Sequence, residues 1–123
     1  MAEPDVVTSW RELMARHADC SGRLERELGE KHGLGVSDFE VLDRMAESEC
    51  GKYRVQELAD VVHLSQSALS RLISRLEKAG LVCRSMCVDD RRGVFVALTD
   101  AGRERHREAL PTHRAVLRDS FSG

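Results

Sequence analysis

Aromatic residues are scarce in this 123-residue chain: Trp10, Phe39, Tyr53, Phe95 and Phe121 are all it has. A core must therefore come mostly from Leu, Val, Ile, Met and Ala. No run of about 18 apolar residues occurs, so no membrane span is expected. Met1 to Asp5 contains neither a basic cluster nor an apolar run, so a secretory signal is not expected and a cytoplasmic location is. There is no glycine-rich phosphate loop, no nucleophile elbow and no metal-binding histidine pair. Asp89 and Asp90 are adjacent on an arginine-rich turn, which does not suit an acid/base pair. Neither enzymatic activity nor a cofactor or bound metal is expected. The four cysteines, Cys20, Cys50, Cys83 and Cys87, are expected as thiols. Cys83 and Cys87 fall on one predicted strand, where ~3.3 Å per residue sets their Cα atoms about 13 Å apart, beyond disulfide reach.

The length suits one domain with a modest core. Net charge is only −2, but its distribution is uneven. Residues 1–64 hold 8 basic and 14 acidic side chains, a balance of −6. Residues 65–92 hold Arg71, Arg75, Lys78, Arg84, Arg91 and Arg92 against Glu77, Asp89 and Asp90, a balance of +3. Concentrated positive charge of this kind suits a nucleic-acid surface better than the total suggests.

Hydrophobic periodicity outlines the elements. Ser9 and Glu12 form a capping-box pattern that predicts a helix start. Trp10, Leu13, His17, Cys20, Leu24 and Leu28 then recur at spacings of three or four, ending near Gly29 or Gly33. A stripe this long in so small a domain calls for a partner chain. Ser37 with Glu40 predicts a second helix, with Phe39, Leu42, Met45 and Ala46 on its apolar face. Glu49 to Gly51 reads as a loop. Val55 to Val62 reads as a short third helix, and His63 to Ser65 as a tight connection. Ser65 or Ser67 can cap a fourth helix, running to about Ala79, with Gly80 just past its end. The period then changes to two. Leu81 to Cys87 and Val94 to Leu98 read as strands of a hairpin with a charged tip. Thr99 caps a last helix from Asp100 to about Leu110, where Pro111 is expected to kink or end it. The predicted class is mainly α with a small β-hairpin, a winged helix-turn-helix with terminal helices.

The fourth helix carries the functional signal. Leu69, Leu72, Ile73 and Leu76 fill one face. The other presents Gln66, Ser67, Ser70, Arg71, Ser74 and Arg75, with no acid before Glu77. Small hydroxyls permit close approach to a major groove, and an arginine fork can bind guanine O6 and N7. Arg91 and Arg92 sit where a wing would reach the phosphate backbone, and an arginine there can enter a narrow minor groove. Asp90 can orient one guanidinium. The alternative is a solvated helix face and an ordinary charged turn.

Here the sequence resembles the MarR family, the multiple antibiotic resistance regulators. Asp90-Arg91-Arg92-Gly93-Val94-Phe95-Val96-Ala97-Leu98-Thr99-Asp100-Ala101-Gly102 is similar to that family's wing and following helix start, D-x-R-G/S-x-x-V-x-L-T-x-x-G. Leu64 to Val82 is similar to its recognition helix, and Val36 to Leu42 to its second helix. The resemblance implies a homodimer on a pseudo-palindromic DNA operator, with two recognition helices about one helical turn apart. It implies dimerisation helices over 9–30 and 100–121 and a DNA-binding core over 36–98. By position, Ser67, Ser70, Arg71 and Arg75 match the family's helix contacts, with Gln66 and Ser74 beside them. Arg92 matches the minor-groove wing arginine and Asp90 the wing aspartate. Most members repress transcription and release DNA on binding a small molecule, commonly an aromatic acid or phenol; some sense oxidants or metals. Members usually carry two helices after the wing. Only Ala101 to Gly123 remain here, so the second is expected to be short or absent.

An effector pocket would lie between the first helix and the DNA-binding core, where Arg11, Arg16 and His17 could bind a carboxylate. Cys20 falls on the apolar stripe and is expected as a small core residue. The rival to DNA binding is a winged helix used only for protein contacts. Retained arginines on the helix and wing argue against it.

Overall fold

The computed structural model describes residues 2–48, 52–86 and 94–121. Chain order is α1 (Ala2–His32), α2 (Val36–Glu47), β1 (Lys52–Arg54), α3 (Val55–Val62), α4 (Gln66–Lys78), β2 (Val82–Met86), β3 (Val94–Leu98) and α5 (Asp100–Phe121). The architecture is mainly α with a small antiparallel sheet, as the periodicity predicts.

Ser9 and Glu12 do not start α1; the helix already runs from Ala2. Pro4 does not prevent this. The first four N–H groups of a helix have no intrahelical acceptor, so proline sacrifices no bond there. At 31 residues and 1.5 Å per residue, α1 is about 46 Å long. It packs along α5. Only its C-terminal part is covered: Cys20, Leu24 and Leu28 are buried, while Val6, Val7, Trp10, Leu13 and Met14 are exposed. Phe121, at the far end of α5, is exposed too.

Helix α2 begins one residue before the predicted Ser37, with Gly35 as N-cap. Asp38 Oδ2 accepts the Gly35 N–H at 2.9 Å, which satisfies one of the orphan donors. Phe39, Val41, Leu42 and Met45 are buried, and so is Asp43.

The α3–α4 connection is tight. His63 takes a left-handed conformation at φ 59°, a state that costs a non-glycine residue on the order of 1 kcal/mol. Of the two serines suggested, Ser65 is the cap: its Oγ accepts the Ala68 N–H at 3.1 Å. Helix α4 buries Leu69, Leu72, Ile73 and Leu76. It ends where Gly80 adopts φ 79°, allowing Gly80 N–H to reach Glu77 O and Leu81 N–H to reach Leu76 O.

β2 and β3 form the expected hairpin, from Val82↔Leu98 to Met86↔Val94. Periodicity predicts no strand before α3, yet β1 pairs with β3 through Lys52↔Ala97, Tyr53↔Val96 and Arg54↔Phe95. Three residues are too few to show alternation. Their pairing is set by the exposed edge of β3.

Thr99 caps α5 as expected, its Oγ1 accepting the Gly102 N–H at 3.0 Å. Pro111 does not end the helix, which continues to Phe121. Proline removes one backbone hydrogen bond there. Ala109 before it and His113 and Val116 after it are all buried, so packing on both sides holds the helix together.

Candidate nucleic-acid interface

Helix α4 presents the predicted face intact. Gln66, Ser67, Ser70, Arg71, Ser74 and Arg75 are all exposed, and its first turn contains no acid. The two arginines differ. Arg71 forms no ion pair among the described residues. Arg75 is held by α2, with one guanidinium nitrogen 3.0 Å from Asp38 Oδ1. Asp38 thus joins two jobs, capping α2 with one oxygen and positioning Arg75 with the other. Arg75 is open to another partner only by sharing or leaving that carboxylate.

Two residues of this surface were absent from the sequence-based site. Asp38 is one. The other is Arg84 on β2, which reaches back to donate to Ser74 Oγ at 2.9 Å. Arg84 was legible only as part of the positively charged segment. Asp90, Arg91 and Arg92 lie outside the described residues, between strands that meet at Met86↔Val94.

On the other side of α2, a cavity of about 660 Å3 lies among α1, α2, α5 and the α3–α4 turn. Leu13, Leu24, Val62, Leu64, Leu117 and Phe121 make much of its wall, and Arg16, His17, Glu40, His63 and His113 add polar groups. Of the three residues expected near a carboxylate, Arg16 and His17 line this cavity and Arg11 does not. Cys20 is buried in this wall, and Cys83 is an exposed thiol. Cys50 and Cys87 lie outside the described residues. No described group of three or more His, Cys, Asp and Glu side chains could hold a metal. No described helix is long and apolar enough to cross a membrane.

Between α2 and α5, with His113 also lining the cavity, sits a largely buried polar cluster. Asp43 accepts from Arg114 at 3.1 Å on both oxygens and faces His106 Nε2 at 2.7 Å. Arg114 also donates to His113 Nδ1 at 2.6 Å. Phe39 stacks against both histidine rings, 5.4 Å from His106 and 4.3 Å from His113. Burial, then the Arg114 charge, pushes the His113 pKa below its ordinary value. A neutral ring is also what the bond requires, because Nδ1 can accept from Arg114 only when unprotonated.

A short helix, a tight turn, a second helix with an exposed arginine face, and then a hairpin: these define a winged helix-turn-helix protein. The profile of the MarR family matches residues 36–94. Among solved structures, the chain is similar to AbsC, a MarR family transcriptional regulator from Streptomyces coelicolor. They share 38% identity over 93% of this chain and 76% of that one, with a TM-score of 0.86. It is also similar to Sco3205, a MarR family transcriptional regulator from the same organism solved in complex with DNA, at 34% identity over 98% and 74% of the two chains, with a TM-score of 0.88. A curated relative, the HTH-type transcriptional repressor MdtR of Bacillus subtilis (strain 168), is 30% identical over 72% of this chain and 56% of its own. The chain spans a similar share of other curated Bacillus subtilis regulators that it matches. This chain belongs to the MarR family.

Proposed function

We propose that this chain is a DNA-binding transcriptional regulator, a ligand-responsive repressor rather than an enzyme, which binds a pseudo-palindromic operator as a homodimer. The observation that carries the reading is the outer face of α4: six exposed residues, none acidic, with Arg71 unpaired among the described residues. Two such helices about one helical turn apart would enter successive major grooves. Ser67, Ser70, Arg71 and Arg75 are the proposed contacts, flanked by Gln66 and Ser74. Arg91 and Arg92 would reach phosphate and minor groove from the wing, with Asp90 orienting one guanidinium. Sco3205, solved with DNA, supports this use of the fold.

Binding to the DNA upstream of its own gene, measured across a salt series, tests the proposal. Nanomolar, salt-steep binding is expected. An Arg71→Ala, Arg92→Ala variant should lose about ten- to hundred-fold or more, the scale of forked base and groove contacts. Weak binding indifferent to both arginines would instead favour a winged helix that contacts only proteins.

The dimer reading rests on α1. Val6, Trp10, Leu13 and, from α5, Phe121 are each close to 60% exposed. Exposed large apolar side chains grouped on one face in this way mark a protein contact. A second copy, packing its own α1 and α5 there, would cover it. Trp10→Glu with Leu13→Glu should shift the mass in light scattering from dimer to monomer; an unchanged mass would place the interface elsewhere. Such packing would also close the cavity beside Leu13 and Phe121. A small aromatic or phenolic effector is the proposed occupant, with Arg16 and His17 available to a carboxylate.

A further inference from the structure

We propose that Arg84, outside the recognition helix, is a positioning residue for sequence readout, because it fixes which way the Ser74 hydroxyl donates. The inference rests on the DNA-binding reading above and adds a residue to it.

Arg84 lies on β2, opposite Val96 of β3, and its guanidinium is laid against α4. One terminal nitrogen donates to Ser74 Oγ at 2.9 Å and lies 3.4 Å from Ser70 O. Nε is 3.6 Å from Glu77 Oε1. Positions 70, 74 and 77 are spaced four and three apart, so the three groups form one stripe along the helix. The arginine therefore touches α4 across two turns, and it does so from the base of the wing.

The consequence is chemical. A serine hydroxyl has one donor and two acceptor lone pairs and rotates to suit its partners. Arg84 occupies an acceptor site on Ser74 Oγ with a charged donor. Such a bond is short and strong relative to neutral pairs. The Ser74 proton is then turned away from the guanidinium, and with one of its two lone pairs already taken Ser74 is biased toward meeting the groove as a donor. It would select acceptors on a base edge, such as guanine N7 or O6 or thymine O4, over the amino groups of cytosine or adenine. Without Arg84 the hydroxyl rotates freely and accepts as readily as it donates. The same guanidinium ties α4 to β2, so recognition helix and wing approach DNA as one body. Glu77 balances part of the charge, which makes Arg84 a poorer phosphate ligand than Arg71, which forms no ion pair among the described residues.

The test compares wild type, Arg84→Met, Ser74→Ala and the double variant on the upstream operator, on every single-base variant of it, and on unrelated duplex. Arg84→Met keeps the apolar stem. Ser74→Ala is a small exposed change, so it reports on readout even if the arginine variant loses stability. Arg84→Met should weaken operator binding about ten-fold, the scale of one base-pair mismatch, and leave unrelated duplex within about three-fold. Arg84→Met and Ser74→Ala should relax discrimination at the same base pair, and the double variant should be no worse than either alone. Equal losses on operator and unrelated duplex with a shallower salt slope would mark Arg84 as a phosphate contact and overturn the proposal. So would relaxation at different base pairs, or no effect at all. If wild type does not distinguish operator from unrelated duplex, the DNA-binding reading itself fails, and this inference falls with it.

Discussion

Gly102→Ala is expected to destabilise the protein by about 3 kcal/mol, the range for forcing an atom into a packed site. The melting temperature should fall on the order of 10 °C. Helix propensity alone points the other way, since replacing glycine with alanine within a helix usually gains about 1 kcal/mol. Close approach decides the sign. A Cβ at residue 102 would lie 2.0 Å from Leu81 O and 3.1 Å from Leu98 Cδ2. The oxygen belongs to the backbone and cannot swing aside. It already accepts the Thr99 N–H at 3.1 Å, while Thr99 Oγ1 donates to Gly80 O at 2.6 Å and accepts from Gly102 N–H. These bonds latch the start of α5 onto the end of α4, and a methyl group would pry the latch open. Thermal unfolding followed by circular dichroism measures the effect. A variant melting at or above wild type would show that the two segments do not pack this closely.

Asp43→Ala should cost a similar amount, about 3 kcal/mol. Breaking a buried ion pair typically costs 3–5 kcal/mol, because the remaining charge has no partner. The lower end applies because the Arg114 side chain is 37% exposed and recovers some hydration; His106 is only 13% exposed. Asp43→Asn keeps the shape and one acceptor and should cost less. In a double-mutant cycle, Arg114→Met should be far less harmful in the Asp43→Ala background than alone. Additive losses would mean the two groups do not depend on each other. The neighbouring His113 gives the cluster a pH dependence. Its folded pKa lies below the ordinary imidazole value, so its contribution to stability is complete above about pH 6.5. It is lost as the pH falls through the folded value, because the unfolded chain takes up the proton first. His113→Phe should flatten this part of a stability–pH profile. An unchanged acid limb would place its cause in other groups.

Local pattern was enough for α4. Leu69, Leu72, Ile73 and Leu76 repeat at helical spacing, and the polar residues between them had no other face to occupy. Ser65 and Thr99 could be read as caps because a cap acts on amides only three residues ahead. The start of α1 could not. Ser9 and Glu12 fit the pattern of a helix start, but nothing stops the helix upstream, and Pro4 falls where proline is tolerated. Pro111 by itself leaves open whether the helix kinks or stops; buried neighbours on both sides carry it through to Phe121.

The class of fold and the polar, arginine-bearing outer face of α4 are encoded locally. Both follow from periodicity and composition over a dozen residues, the range at which hydrophobic patterning acts. Tertiary structure alone decided which charged groups on that surface are free. Asp38 holds Arg75 across 37 residues of chain, and Arg84 meets Ser74 only after the hairpin folds back on the helix. Asp43 meets its partners 63 and 71 residues away. No local spacing encodes such pairs. They exist because packing α2, α4, α5 and the sheet around one core brings together charges that, once partly withdrawn from water, need partners.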